Sequence, residues 1–211
     1  MIFDIHTHHH PATPGEAIVQ LTPDGFYPQR GHFYSVGLHP WNIGDDWRMQ
    51  AGKLLLMALH PQVVMIGETG IDKKNGAATI EQQLEVFREH VRLSELIRKP
   101  LIVHCVKGVD EILSVRKEMK ATLPWVIHGF RGGVELWGQL CRAGLYVSIG
   151  LRHNPSLINE VPLSSLLLES DEQETIDATY NLVQECIGVD ESMLRYHVAT
   201  NIHHLLTSHV L

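Results

Sequence analysis

Val63-Val64-Met65-Ile66-Gly67-Glu68-Thr69-Gly70 is the stretch on which the fold turns. It opens as an unbroken, mostly β-branched apolar run, as a parallel strand covered on both faces should read. It then stops on a carboxylate held between two glycines. Downstream, Thr79 and Gln82 form a capping box, and Ile80, Leu84, Phe87 and Val91 fall on one helical face. Leu101-Ile102-Val103 then begins a second apolar run, closed by His104. Strand, amphipathic helix and strand in succession make a βαβ unit.

The same alternation extends in both directions. Upstream candidate strands are Ile2–His6, Ala17–Leu21 and Phe33–Leu38; downstream ones are Trp125–His128, Leu145–Ile149 and Leu166–Glu169. Val109–Ala121 and Val134–Ala143 read as helices, the latter stopped by Gly144. Ile176, Tyr180, Val183 and Ile187 form a stripe that ends at Gly188, and Asp190 caps a last helix running to about Leu206. No repeat, low-complexity tract or linker divides the chain, so 1–211 reads as one domain. Alternation over this length favours an α/β fold of the TIM-type (β/α)8 barrel over a flat doubly wound sheet. No glycine fingerprint follows the first strand, as a nucleotide-binding sheet would require. The segment from His6 to Leu21 contains Pro11, Pro14 and Gly15 and has no room for a crossover helix. The barrel is therefore expected to be abbreviated, with its first helix missing. That would leave the first two strands uncovered on one side, and an apolar face of this kind suggests a homodimer.

With 211 residues, 44% of them hydrophobic, the chain can bury a substantial core. Its formal charge of −7 gives no overall attraction for nucleic acid, so phosphate binding must be local or metal-mediated. Cys105, Cys141 and Cys186 form no C-x-x-C pair, and are expected to be buried thiols in a reducing compartment. No signal peptide precedes Asp4 and no apolar run approaches membrane-spanning length. The expected location is cytoplasmic, with no membrane partner.

Metal-competent side chains close the apolar runs. His6 and His8 lie two apart, so both rings point to one side of an extended chain. Glu68, His104 and His128 each follow an apolar run, where an unpaired polar group would be costly. Asp171 ends Leu166-Leu167-Leu168-Glu169-Ser170, nearer the mouth than Glu169. A lone strand-end histidine is an ordinary hydrogen-bonding residue. Imidazoles and carboxylates on five strand ends together indicate divalent cations, and a carboxylate can bridge two of them. Asp4 reads as a buried partner for a histidine, and Asp72 as a residue that orders the loop after Glu68. Trp41 either stacks on a base or packs at the rim. His9, His10, His203, His204 and His209 receive no role.

The ordered set Asp4-x-His6-x-His8, Gly37-Leu38-His39-Pro40, Ile66-Gly67-Glu68-Thr69-Gly70-Ile71-Asp72, Val103-His104-Cys105, His128-Gly129-Phe130 and Glu169-Ser170-Asp171 resembles the TatD family of metal-dependent deoxyribonucleases. Gln83-x-x-x-Phe87-x-x-His90 and Asn201 resemble its pattern too, and the likeness runs from about Met1 to Leu206. The resemblance implies that His6, His8 and Asp171 bind one divalent cation, that His104 and His128 bind a second, and that Glu68 bridges them. The cations would be Mg²⁺, Mn²⁺ or Zn²⁺. It places His39 by the substrate phosphate rather than on a metal, and implies stepwise removal of nucleotides from a DNA end.

The chain departs from the family pattern in places. It is shorter than a typical member, chiefly between His8 and Gly37. The family's His-Cys-Phe-Ser-Gly is His128-Gly129-Phe130-Arg131-Gly132 here, and the basic residue after His-Cys lies one place later, at Lys107. Arg131 and Lys107 are candidates to meet a phosphate. Glu172 stands where the family has proline after its Glu-Thr-Asp. The expected catalytic group comprises Asp171, which takes a proton from the attacking water, with Glu68 and His39. The substrate that the resemblance implies is DNA or a small phosphodiester. Alternatives are an amidohydrolase cleaving a C–N or ester bond, a PHP-type phosphoesterase, and a metal-binding scaffold without catalysis. Glu68 stands where many amidohydrolases carry a carboxylated lysine, and the Gly-x-His-Pro segment disfavours the PHP type.

Overall fold

The structure, a computed structural model, describes residues 1–208, so His209 lies outside the described residues. Eight strands run in chain order: β1 (Asp4–Thr7), β2 (Ala17–Leu21), β3 (Phe33–Val36), β4 (Val63–Asp72), β5 (Leu101–Val106), β6 (Trp125–Ile127), β7 (Leu145–Ile149) and β8 (Leu167–Leu168). Each pairs with the next in parallel. The ring is drawn together just past β8. There the Asp171 amide donates to His6 O and the His8 amide donates to Asp171 O, both at 3.0 Å. This is a nearly closed (β/α)8 barrel, and its closure point carries three of the expected metal ligands.

The helices are α1 (Trp47–Ala58), α2 (Ile80–Ile97), α3 (Val109–Met119), α4 (Val134–Arg142), α5 (Asp177–Ile187) and α6 (Glu191–Thr207). The capping box of α2 is complete: Gln82 N donates to Thr79 Oγ1 at 3.2 Å and Thr79 N to Gln82 Oε1 at 2.9 Å. Asp190 caps α6 by accepting from Met193 N at 3.0 Å. The sequence reading contains no α1. Leu54-Leu55-Leu56-Met57 is apolar on every side, and Asp46 makes no side-chain cap bond, so neither periodicity nor a cap announces that helix. Between the barrel wall and this layer, Phe87 of α2 meets Trp125 of β6 edge to face at 5.3 Å, both fully buried. Each such side chain contributes about 1.5–3 kcal/mol by leaving water.

Three expectations need correction. The abbreviation is wider than one helix: among the described residues β1–β2 is joined without a helix, and β2–β3 and β7–β8 only through 3₁₀ turns at Pro23–Gly25 and Leu163–Ser165. Nor are the first two strands left bare. Asp4–Thr7 and Ala17–Gln20 are all buried. Phe26, from the segment before β3, packs on the core and lies 6.5 Å from the Tyr34 ring, while Tyr180 of α5 donates to Phe3 O at 2.9 Å. The apolar face that motivated a homodimer is therefore covered. Finally, Cys141 and Cys186 are exposed and Cys105 is half-buried, all as free thiols. No described helix is long and apolar enough to cross a membrane.

Candidate metal centre

Glu68 does not end its strand. β4 continues to Asp72, and its register against β5 shifts between Ile66 and Thr69, on either side of Glu68. The flanking glycines serve β5 itself. A Cβ on Gly67 would lie 2.2 Å from Ile102 O, and one on Gly70 would lie 2.1 Å from His104 O, with φ at +125° and +140°. Only glycine lets β4 turn at this point against its neighbour, and that turn delivers the carboxylate to the barrel's axis. Gln20 of β2 fixes it there, its Oε1 accepting from Glu68 N at 2.6 Å and Ser35 Oγ at 2.9 Å. The sequence reading missed Gln20, because one polar residue in a strand carries no signal of its own.

The two oxygens of the Glu68 carboxylate face different sets of imidazoles. Oε1 lies 2.7 Å from His128 Nε2, 2.8 Å from His104 Nδ1 and 3.1 Å from His39 Nε2. Oε2 lies 3.5 Å from His6 Nε2 and 3.6 Å from His8 Nε2. Asp171 Oδ1 approaches the same pair, 3.9 Å from His6 and 3.7 Å from His8. All the expected ligands converge at one end of the barrel. His39 is closer in than expected: its Nε2 is 3.2 Å from His104 Nδ1, within the ligand set rather than beside it.

A second layer aims these groups. Asp72 orders its loop by accepting from Lys74 N at 2.7 Å and Asn75 N at 2.9 Å. It also pairs with His104 Nε2 at 3.1 Å, a role the sequence did not disclose, which turns Nδ1 towards Glu68. Glu169 sits behind His128, 3.8 Å from its Nδ1, and binds Ser148 Oγ through its other oxygen. Among the described residues, Asp4 makes no hydrogen bond to a histidine ring. It accepts from His6 N, Ser170 N and Ser170 Oγ, and so ties β1 to the strand end carrying Asp171. The family-like residues of α2 brace the mouth from outside. Gln83 accepts from Asp72 N at 2.8 Å and donates to Asp72 O at 3.1 Å. His90 Nε2 accepts from Leu38 N at 3.0 Å, beside His39. Asn201 donates to Leu163 O and Leu166 O, fastening α6 to the turn before β8.

The close approach of carboxylates and imidazoles shifts their titration in opposite directions. Burial alone would raise the Glu68 carboxyl, but the His128 ring and the hydrogen bonds of His104, His128 and His39 hold it well below the usual range. Burial, then the neighbouring His128, pushes His6 well below its ordinary value, so that ring is neutral with a free lone pair. His128 is held well above its own, burial being overcome by Glu68 and Glu169. Burial raises Asp171 against the pull of His128. Both ring nitrogens of His6 are buried without a hydrogen-bond partner, an arrangement costing about 1–3 kcal/mol per group. A cation among His6, His8 and Glu68 would take up that lone pair. His6–His8–Glu68, His6–His128–Asp171 and His39–Glu68–His104 each bring three ligand atoms within 4.8 Å of one another. The donor set, imidazole with carboxylate, suits borderline divalent ions.

The centre opens into a cleft of about 720 Å³. Lys107 and Arg131 line it and are exposed. Trp41 also lines it, half its surface exposed, with Nε1 anchored on Asp72 Oδ2 at 2.6 Å. It is thus a fixed rim residue with an open flank. Asp171 (φ +54°) and Lys107 (φ +56°) adopt left-handed backbone, a strain of order 1–3 kcal/mol that concentrates at functional mouths.

Comparison with known proteins places the chain in a family. The sequence profile described as TatD related DNase matches residues 24–204, which leaves β1, with His6 and His8, ahead of the matched region. The uncharacterized metal-dependent hydrolase YcfH of Escherichia coli K12 is 32% identical over 146 residues, 65% of this chain and 54% of that protein. The 3'-5' ssDNA/RNA exonuclease TatD of Erwinia billingiae is 31% identical over 147 residues, 65% of this chain and 56% of that protein. The chain thus spans little more than half the length of these curated relatives. Among solved structures, the TatD homologue YjjV of Escherichia coli K12 superimposes with a TM-score of 0.78 over 98% of each chain at 20% identity, a likeness of fold. With most of its length matched by that profile, the chain belongs to the TatD-related DNase family.

Proposed function

We propose that this chain is a divalent-metal-dependent phosphodiesterase that removes nucleotides from DNA ends or cleaves small phosphodiesters. The observation that carries the reading is the divided Glu68 carboxylate, with Oε1 turned to His104 and His128 and Oε2 to His6 and His8. That is the disposition of a bridging ligand between two cations. In this reading His6, His8 and Asp171 hold one cation, His104 and His128 hold the other, and Mg²⁺, Mn²⁺ or Zn²⁺ fits the donors. Bound cations would lower the pKa of water and neutralise phosphoryl charge. Asp171, partly exposed at the cleft, orients the attacking water and takes its proton. His39 contacts a phosphoryl oxygen, and Lys107 and Arg131 meet phosphates of the substrate from the rim. The relative named as an ssDNA/RNA exonuclease supports the choice of phosphodiester.

Metal analysis paired with a substrate screen tests this. The purified protein should take up about two divalent ions per chain, and Glu68→Ala should weaken both sites. Bis(4-nitrophenyl) phosphate and single-stranded DNA ends should be hydrolysed, with closed circular DNA largely spared. Unchanged tight binding in Glu68→Ala would remove the bridge. Brisk hydrolysis of an amide, with no phosphodiester cleaved, would transfer the site to the amidohydrolase reading.

A further inference from the structure

Beside the main cleft, the loops after β6, β7 and β8 enclose a recess of about 150 Å³. Asp171 and Glu172 line both spaces, and so do two guanidinium groups, Arg131 and Arg152. Every carboxylate bordering the recess has a basic or hydroxyl partner elsewhere. Asp171 faces His6 and His8, Glu172 Oε1 lies 3.8 Å from His8 Nε2, and Glu169 is engaged with Ser148 and His128. The two arginines have neither an ion pair nor a hydrogen bond among the described residues. This contrasts with Arg48, Arg88, Arg92 and Arg195, each of which is paired with an acid. In a chain of net charge −7, these two unpaired guanidiniums border one recess beside the reactive end. Planar guanidinium forks match phosphate oxygens bidentately.

From this we infer that Arg131 and Arg152 form a second anion subsite, which grips the phosphate next to the one being cleaved. The inference rests on the phosphodiesterase reading and deepens it. The preferred substrate becomes a single-stranded oligonucleotide with at least two consecutive phosphates. Arg152 is a specificity residue in this scheme, with no part in Asp171's proton transfer.

Binding of 3′-fluorescein tetrathymidylate to the full chain, followed by anisotropy in EDTA across a salt series, reads the subsite without any catalysis. Arg152→Ala should weaken binding at least fivefold, with Arg152→Lys intermediate because it keeps charge but loses the fork. In Arg131→Ala/Arg152→Ala the salt slope should fall by about 0.7, the increment that each neutralised phosphate contributes on a single strand. With Mn²⁺ added, Arg152→Ala should lower kcat/KM for tetrathymidylate at least fivefold more than for bis(4-nitrophenyl) phosphate, mainly through KM. Arg142→Ala, outside the cleft, controls for net charge. An unchanged salt slope in the double variant, or equal weakening by Arg142→Ala, would overturn the subsite. Loss of binding as expected, in a protein that hydrolyses no phosphodiester, would uphold the subsite and remove the catalytic reading instead.

Discussion

His90 links the acid stability of the fold to the geometry of the centre. It is fully buried on α2, its Nδ1 bonded to Val86 O at 2.8 Å and its Nε2 accepting from Leu38 N at 3.0 Å. Burial pushes its pKa down from 6.5 to about 4, the bond to Val86 O opposing only weakly. A histidine depressed in the folded state contributes stability that is complete above pH 6.5 and is lost as pH falls through about 4. The gap of about 2.5 pH units, at about 1.4 kcal/mol each, sets a ceiling of about 3–4 kcal/mol on the loss. Protonation also removes the acceptor for Leu38 N–H, so the segment carrying His39 should loosen over the same range. The perturbation is His90→Gln, which keeps an acceptor and cannot titrate. Urea unfolding of both proteins from pH 7.5 to 4 gives the difference in stability directly. Histidines common to both cancel in that difference, which isolates position 90. At pH 7.5 the variant should be less stable by about 1–2 kcal/mol, from altered packing and a poorer hydrogen bond. Towards pH 4 the gap should close or reverse, because only the wild type has at position 90 a group that binds a proton more readily unfolded than folded. A constant gap across the range would refute the reasoning.

Other positions give independent checks. Asp72→Asn removes the charge behind His104, and calorimetric titration should find cation affinity about 10–100-fold weaker. Asp171→Asn keeps its shape but loses the basic oxygen, so turnover of bis(4-nitrophenyl) phosphate should drop about 100-fold or more with metal still bound; wild-type turnover would move the base elsewhere. Gly70→Ala would drive a Cβ to 2.1 Å from His104 O, and chemical denaturation should register a loss above about 4 kcal/mol or no folded protein at all.

Sequence alone determined the alternation of strands and helices, because unbroken apolar runs and capped stripes of period 3.6 are local properties. β2 and β7 fall on the residues read for them, and so does the capping box of α2. The ordered His, Glu and Asp positions were legible for a related reason, since each follows an apolar run that cannot bury a polar group without a purpose. Tertiary structure decided whatever depends on a partner far along the chain. Gln20 matters because Glu68 N, 48 residues away, needs an acceptor there. Asp72 backs His104 only once β4 and β5 lie side by side, with Asp72 opposite Val106. Gly67 and Gly70 flank Glu68 in the sequence, but only the pairing of β4 with β5 shows that they are clearances for β5. The missing helix was read from a short, proline-containing connection, but the burial of the strands beneath it was not, because Tyr180 of α5 reaches the lead-in to β1 from far along the chain. Helix α1 escaped notice because it is apolar around its whole circumference near its end and lacks a cap, so only packing in three dimensions specifies it. Local signals name the elements and the chemistry; the pairing of distant backbone groups fixes which atoms of that chemistry meet.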